Sequence, residues 1–261
     1  MKRTGYQCAL LWLLVSTVLM AQSARPINFR GKVQLLQTYG PDRGSPIILS
    51  SGDLGWAGLV VHVAEFLAAQ GYRVIGLNSR AYLASFTTTN SALDPRDVPG
   101  DYLALVEIAR QHSDVKPILV GISEGAGLSV LAATRPEIKS AVQGILALGL
   151  PDQSELGWKW VDFTIWITKR APTEPSFMVE DIIRNVSPVP LAEIHSTHDE
   201  FVPLDQAKAV FAHAGEPKRM WIIEAANHRF SDSRGELDRK LVESLRWIHE
   251  QAGTMPARNP Q

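Results

Sequence analysis

The sequence GISEG at residues 121–125 has the form G-x-S-x-G, and it lies between an apolar run at 118–120 and a helical pattern that begins at Ala126. A serine at the tip of a sharp strand-to-helix turn occupies strained backbone, and bulky residues two positions away on either side would collide with adjoining elements. The two glycines remove that collision. This stretch therefore predicts a Ser123 hydroxyl held above a sheet edge, with the positive end of a helix dipole close to it.

Strand-like and helix-like segments alternate on both sides of this turn. Short apolar runs rich in β-branched residues indicate strands buried on both faces, and apolar residues at helical spacing indicate amphipathic helices. The alternation predicts a mostly parallel sheet with helices on both faces, an α/β fold in one domain over residues 24–261. The predicted strands are 33–38 (an edge strand), 46–50, 74–77, 118–120, 144–148, 191–194 and 220–223, and the predicted helices are 59–69, 101–111, 126–133, 205–214 and 235–251.

Two stretches interrupt the alternation. Residues 80–99 are polar and rich in threonine, and residues 151–190 form a small Trp-rich insert. Long connections in a compact domain are often binding loops or lids. We expect the aromatic residues of the insert to pack mainly on the core, with lipid or cation binding as the alternative. The aromatic residues of the insert are Trp158, Trp160, Phe163, Trp166 and Phe177.

A serine hydroxyl needs a nearby base to act as a nucleophile. Hydrolases with a G-x-S-x-G serine turn have the chain order Ser, acid, His. Of the seven histidines, His228 fits best, because it follows the predicted strand 220–223 in a loop before the last helix. A loop at the carboxyl edge of a parallel sheet brings its side chains to the same edge as Ser123. We therefore predict that His228 is the general base.

An acid is needed to hold the imidazole tautomer and to stabilise the imidazolium. Asp199 is the first candidate, because it lies just beyond the predicted strand 191–194 and before a helix. Asp152, beyond the strand 144–148, is the alternative acid, and Glu200 is a third.

The oxyanion hole of such a site uses the backbone N–H after the nucleophile and one N–H from the loop after an earlier strand. These are predicted to be the N–H groups of Glu124 and Asp53, the latter in the glycine-containing loop SGDLGW at residues 51–56. The Asp53 side chain is expected to cap the following helix, or else to bind a cationic substrate group. A serine mechanism of this kind needs no metal and no organic cofactor.

Composition and the N-terminus narrow the class of protein further. Lys and Arg number 26 against 27 Asp and Glu, for a formal net charge of -1, so nucleic acid is not an expected partner. Lys2 and Arg3 precede a short apolar run and then small residues, which is typical of a secretory signal peptide over residues 1–23. A retained membrane anchor is the alternative. Cys8 is the only cysteine, so no disulfide and no thiolate site is expected after cleavage.

GISEG, the acid segment HDEFVP and the histidine segment ANHRF, in this order, resemble the α/β-hydrolase superfamily over about residues 31–251. More narrowly, SSGDLGW and LAAQGYRVIGLNSRAY resemble the VirJ/AcvB family of bacterial virulence proteins. That resemblance implies an exported periplasmic protein that hydrolyses an aminoacylated phospholipid, lysyl-phosphatidylglycerol. The ammonium of a lysyl ester would suit Asp53, Glu124 or Asp152.

The sequence thus predicts an exported serine hydrolase that cleaves a small-molecule or lipid ester through an acyl-enzyme. We expect a monomer, and contact with a membrane surface is consistent with a lipid substrate. The alternative is a non-catalytic exported binding or assembly protein on the same fold, since fold does not establish function. The residues predicted to bind substrate are Leu54, Trp56, Tyr82 and Trp158.

Overall fold

The computed structural model describes residues 23–159 and 175–254. Its main feature is an eight-stranded sheet with the strand order β1-β2-β4-β3-β5-β6-β9-β10. The strands from β4 to β10 in this order are parallel, whereas β2 is antiparallel to both β1 and β4. The strands of this sheet are β1 (Ser23–Phe29), β2 (Lys32–Tyr39), β3 (Pro46–Ser50), β4 (Arg73–Leu77), β5 (Ile118–Ile122), β6 (Gly144–Leu148), β9 (Leu191–Ser196) and β10 (Lys218–Ile223).

Helices cover both faces of the sheet, and each face has its own apolar core. Residues of α1 and α8 pack on one face, and residues of α3, α4 and α5 pack on the other. Strands β3, β5 and β6 are buried along their whole length, as the apolar runs in the sequence predict. The helices are α1 (Leu59–Ala69), α2 (Ser79–Phe86), α3 (Val98–Arg110), α4 (Glu124–Ala132), α5 (Pro136–Ala141), α6 (Val179–Ile182), α7 (Leu204–Ala212) and α8 (Arg234–Thr254).

The predicted parallel sheet with helices on both faces is confirmed, and two local predictions are wrong. Residues 33–38 do not form the edge of the sheet, because β1 pairs with residues 32–38 of β2 and is itself the edge strand. The polar stretch 80–99 is not all loop, because α2 occupies most of its first part. Within the residues that the structure describes, no helix is long and apolar enough to cross a membrane.

The insert begins and ends with a small antiparallel ribbon of β7 (Gln153–Glu155) and β8 (Ser176–Met178). Trp160, Phe163 and Trp166 lie outside the described residues, as do residues 1–22 of the predicted signal peptide. The ribbon lies beside the turn between β5 and α4, since β7 packs against α4.

Candidate active site

The turn between β5 and α4 holds Ser123 in strained backbone. Its φ is 51° and its ψ is -118°, a region that side-chain-bearing residues rarely adopt. A Cβ on Gly121 would collide with the backbone of Gly125 and Ala126, and a Cβ on Gly125 would collide with the backbone of β3. Only glycine therefore allows strand, turn and helix to approach this closely, which is the geometry that the G-x-S-x-G pattern predicts.

Contacts at the carboxyl end of β6 bring Ser123 and His228 to the same place. The Ser123 N–H donates to the carbonyl of Leu148, the last residue of β6, at 2.9 Å. The next residue, Gly149, has a φ of 60°, and a Cβ built on it would lie 2.5 Å from Cε1 of His228. The imidazole therefore rests directly on the backbone that anchors the serine, and both side chains line the same cavity.

His228 is hydrogen bonded to Asp199. Its Nδ1 lies 2.6 Å from Oδ2 of Asp199, and each of the two residues is only 6% exposed. Burial raises the pKa of Asp199, but the hydrogen bond and charge of His228 and two backbone N–H donors outweigh it and lower that pKa. An ionised carboxylate can only accept, so the proton of the neutral imidazole is on Nδ1 and its Nε2 is a free base.

The other two acid candidates have different contacts. Asp152 lines the cavity, but its carboxylate accepts from the Gln206 side chain of α7. Glu200 accepts from the backbone N–H of His228 at 2.7 Å and so fixes the loop rather than the imidazole. The geometry therefore brings together Ser123, His228 and Asp199.

The loop after β3 lies against the nucleophile. A Cβ on Gly52 would lie 3.2 Å from Cβ of Ser123, so this backbone approaches the serine very closely. Asp53, the next residue, lines the cavity, and Glu124 is the first residue of α4. The two residues whose backbone N–H groups are the predicted oxyanion donors thus line the same cavity as Ser123.

The cavity over Ser123 has a volume of about 300 Å³. Its wall is mostly apolar, but four carboxyl-bearing residues and one arginine also line it. Arg229 is that arginine and directly follows His228. The carboxyl-bearing residues are Asp53, Glu124, Asp152 and Glu155.

The Glu124 side chain is buried beside the nucleophile. Its carboxyl group accepts from the hydroxyl of Ser154 and from the N–H of Glu155, both in β7. Burial and the nearby charge of Asp53 raise the pKa of Glu124 well above its ordinary value. Because this carboxyl group is buried and already hydrogen bonded to β7, it is a poor partner for an ammonium, and Asp53 and Asp152 remain from the three predicted cation partners.

Of the four residues predicted to bind substrate, the structure places only Leu54 in the cavity wall. Trp56 turns away, because its indole N–H donates to the Tyr39 hydroxyl at 2.9 Å and its ring covers Gly76. The prediction for Tyr82 is wrong, since its ring is fully buried and its hydroxyl donates to Asp101 at 2.6 Å.

Trp158, the fourth residue, also lies outside the lining of this cavity. Its ring is partly buried against the apolar core, with the Arg80 guanidinium 5.3 Å from the ring centroid. Its backbone N–H donates to the Thr87 hydroxyl at 3.0 Å. In the described structure Trp158 therefore ties the insert to the core, which is the packing role expected for the aromatic residues of the insert.

Four residues near the site were not assigned a role from the sequence. Gly149 supports the imidazole, and its position directly after a buried strand was the available signal. Arg229 follows the histidine in the loop and lines the cavity. Glu193 and His195 lie in the buried strand β9, where two ionisable residues among apolar neighbours were the signal.

The sheet order, the strained serine turn and the histidine loop together define an α/β-hydrolase fold. Residues 45–247 match the model of the family described as "Bacterial virulence protein (VirJ)", and the chain belongs to that family. The uncharacterized protein YfhR of Escherichia coli O157:H7 is 24% identical over 201 residues, which are 75% of this chain and 68% of YfhR.

Two solved structures illustrate the similarity of the fold at low sequence identity. The α/β hydrolase GrgF from Penicillium sp. sh18 superposes with a TM-score of 0.65 at 14% identity, over 88% of this chain and 100% of GrgF. A putative aryl esterase from Burkholderia cenocepacia superposes with a TM-score of 0.64 at 19% identity, over 87% of this chain and 100% of the esterase. At these identities the likeness establishes the fold alone.

Proposed function

We propose that this protein is a serine hydrolase that cleaves a carboxylic ester through an acyl-enzyme. The observation that carries the proposal is the strained Ser123 in one cavity with His228, whose Nδ1 is bonded to the buried Asp199. Three groups with these chemical types and this chain order have the roles of nucleophile, base and orienting acid.

In the proposed reaction, Nε2 of His228 takes the proton of the Ser123 hydroxyl as its oxygen attacks the ester carbonyl. Asp199 holds the imidazole and stabilises the imidazolium that forms. The oxyanion is stabilised by backbone N–H groups on either side of Ser123, those of Asp53 and Glu124. The imidazolium then gives its proton to the leaving alcohol. In the second half, Nε2 of His228 takes a proton from water as the water oxygen attacks the acyl-enzyme carbonyl, and the imidazolium returns that proton to the oxygen of Ser123 as the carboxylic acid leaves.

For the substrate, we propose an aminoacylated phospholipid such as lysyl-phosphatidylglycerol. The resemblance to the VirJ/AcvB family suggests this class, and the charges of the cavity are consistent with it. Asp53, Asp152 and Glu155 offer carboxylates for an ammonium, and Arg229 offers a guanidinium for a phosphate. A substrate that carries both charges around its ester bond would suit a cavity lined by both kinds of group.

The test is hydrolysis of three substrates by the wild type and by Ser123→Ala. They are vesicles of phosphatidylglycerol with lysyl-phosphatidylglycerol, vesicles of phosphatidylglycerol alone, and p-nitrophenyl acetate. The proposal expects release of free lysine by the wild type only, at a higher kcat/KM than for p-nitrophenyl acetate. Preference for p-nitrophenyl acetate would contradict the lipid substrate, and a folded wild type that hydrolyses nothing but binds the vesicles would favour the binding protein.

We also propose that the chain is exported to the bacterial periplasm and acts there as a monomer. Export is supported by residues 1–23, which have basic residues at the start, then an apolar run, and small residues before the predicted cleavage site. Cleavage after Ser23 would leave residues 24–29 of β1 in the mature chain, still paired with β2. N-terminal sequencing of the periplasmic fraction tests this, and an uncleaved chain in the membrane fraction would favour the retained anchor.

A further inference from the structure

Two ionisable residues of β9 lie close to the proposed acid and outside the lining of the cavity. Glu193 and His195 are fully buried in this strand, which lies between β6 and the edge strand β10. They are two residues apart in a strand and so point to the same face. Nδ1 of His195 lies 3.1 Å from Oε1 of Glu193, and its Nε2 lies 3.7 Å from Oδ2 of Asp199. Oδ2 of Asp199 therefore has two imidazoles near it, that of His228 at 2.6 Å and that of His195 at 3.7 Å.

The hydrogen bonds of His195 fix where its protons are. Its Nε2 lies 2.9 Å from the backbone carbonyl of Val202, and a carbonyl can only accept. Nε2 therefore carries a proton. On the other side of the ring, one proton is shared between Nδ1 and the Glu193 carboxyl group. Burial disfavours the charged form of His195, but the hydrogen bond and charge of Glu193 outweigh it and raise the pKa of His195.

Val202 connects this buried pair to the proposed triad. Its carbonyl accepts from His195, while its N–H donates to Oδ1 of Asp199 at 2.9 Å. The N–H of Phe201 donates to the same oxygen at 2.9 Å. The His195 ring and the Asp199 carboxylate are thus both hydrogen bonded to the backbone of Val202. A shift of the ring would therefore move the carboxylate that orients His228.

We propose that His195, with Glu193 as its buried partner, is a positioning residue that sets the orientation of Asp199 through Val202. The inference rests on the proposed hydrolase function. Its reason is energetic: a buried ionisable pair is often no more stabilising than apolar residues of the same volume. The buried strand β9 therefore gains little stability from Glu193 and His195. The pair instead benefits catalysis, because it holds the Asp199 carboxylate in place. A small misplacement of a reacting group greatly lowers the rate.

Two substitutions at one position separate positioning from simple packing. In His195→Gln the side-chain amide reaches the position of Nε2 and can still donate to Val202. In His195→Asn the amide reaches only the position of Nδ1, so the bond to Val202 is lost. With the best of the three ester substrates, we expect a kcat loss of roughly 100-fold for His195→Asn and less than about tenfold for His195→Gln. We expect KM within about twofold of the wild type for both, since neither group touches substrate.

A double-mutant cycle tests whether His195 acts through Asp199. In an Asp199→Asn background the carboxylate is already lost, so His195→Asn should lower kcat by less than about threefold more. Equal losses in both backgrounds would overturn the inference, as would equal kcat values for the two His195 variants.

The proton spectrum of the wild type tests the same geometry without turnover. We expect ¹⁵N-labelled His195 to carry a proton on Nε2, and a far-downfield resonance for Nδ1–H of His228. In His195→Gln that resonance should stay within about 0.5 ppm, on the reasoning that Val202 remains held. A wild type in which Nε2 of His195 has no proton would overturn the inference even if ester hydrolysis is observed. If no ester is hydrolysed, the proposed function fails, and the spectrum still decides the positioning.

Discussion

Gly149 and His228 are in direct contact: a Cβ added to Gly149 would lie 2.5 Å from Cε1 and 2.9 Å from Nδ1 of the imidazole. The same glycine directly follows Leu148, whose carbonyl holds the Ser123 backbone. One short segment at the end of β6 therefore sets the positions of both the proposed nucleophile and the proposed base.

Gly149→Ala tests this contact. The methyl group must displace the imidazole, so we expect kcat/KM for ester hydrolysis to fall roughly 100-fold. The positive φ of Gly149 adds a stability cost of about 1–2 kcal/mol. Gly71→Ala, just after α1, is the matched control, because Gly71 also has a positive φ and a Cβ there meets nothing within 4 Å. Wild-type kcat/KM in Gly149→Ala would contradict the account, and a loss of activity in the control would point to a general sensitivity to such changes.

Replacement of the two candidate acids separates their roles. We expect Asp199→Asn to lower kcat about 10⁴-fold, because an amide no longer favours the tautomer with Nδ1 protonated, and the same replacement costs a chymotrypsin-type triad a loss on this scale. Asp152→Asn should change kcat by less than about fivefold, since Asp152 contacts Gln206 and not the imidazole. The reverse ranking of the two variants would make Asp152 the acid.

The backbone strain at Ser123 predicts that a variant that relieves it gains stability although it loses the nucleophile. Glycine tolerates the observed φ of 51°, whereas alanine does not. Both Ser123→Gly and Ser123→Ala remove the nucleophile, but only the glycine variant relieves the strain. We expect Ser123→Gly to be more stable than Ser123→Ala by about 1–3 kcal/mol in urea denaturation. Equal stability of the two variants would mean that the turn stores no strain.

The buried Glu124 predicts how stability depends on pH. Its pKa is raised in the folded state, so between the ordinary glutamate value and that raised value the folded chain binds more protons than the unfolded chain. Stability must then fall as pH rises through this window, by at most about 1.4 kcal/mol per pH unit from this group. Glutamine keeps an acceptor for Ser154 and the N–H of Glu155 but does not ionise.

The measurement for Glu124 is urea denaturation of the wild type and Glu124→Gln at several pH values. We expect the stability of Glu124→Gln relative to the wild type to increase as pH rises from about 4 to neutrality, where the ordinary pKa of glutamate is about 4.3. Parallel pH curves for the two proteins would show that Glu124 has the same pKa in both states, contrary to the expected shift.

The features predicted correctly from the sequence have local signals. The serine turn depends on residues within five positions of one another, and buried strands such as β5 and β6 are continuous apolar runs. The positions of Asp199 and His228 follow from a topological rule, because each residue comes just after a parallel strand. These predictions required only knowing that the carboxyl ends of the parallel strands meet at one edge of the sheet. They required no knowledge of side-chain packing.

The features that the sequence did not predict depend on which residues each side chain contacts in the folded protein. Trp56 stands in the loop next to the nucleophile, yet its ring stacks on Tyr39 of β2. Tyr82 is fixed by Asp101, which is 19 positions away in another helix. Strand β1 was missed because six of its seven residues are not buried, so it lacks an apolar pattern. A sequence gives the identity of a side chain in such cases but not its partner.

The most direct test of the central claim is labelling of the folded protein with a fluorophosphonate, followed by mass spectrometry of its peptides. We expect one adduct on the Ser123 hydroxyl in the wild type, none in Ser123→Ala, and labelling of His228→Ala slower by roughly 100-fold or more. A folded wild type that remains unlabelled, or an adduct on any other residue, would contradict the proposed triad.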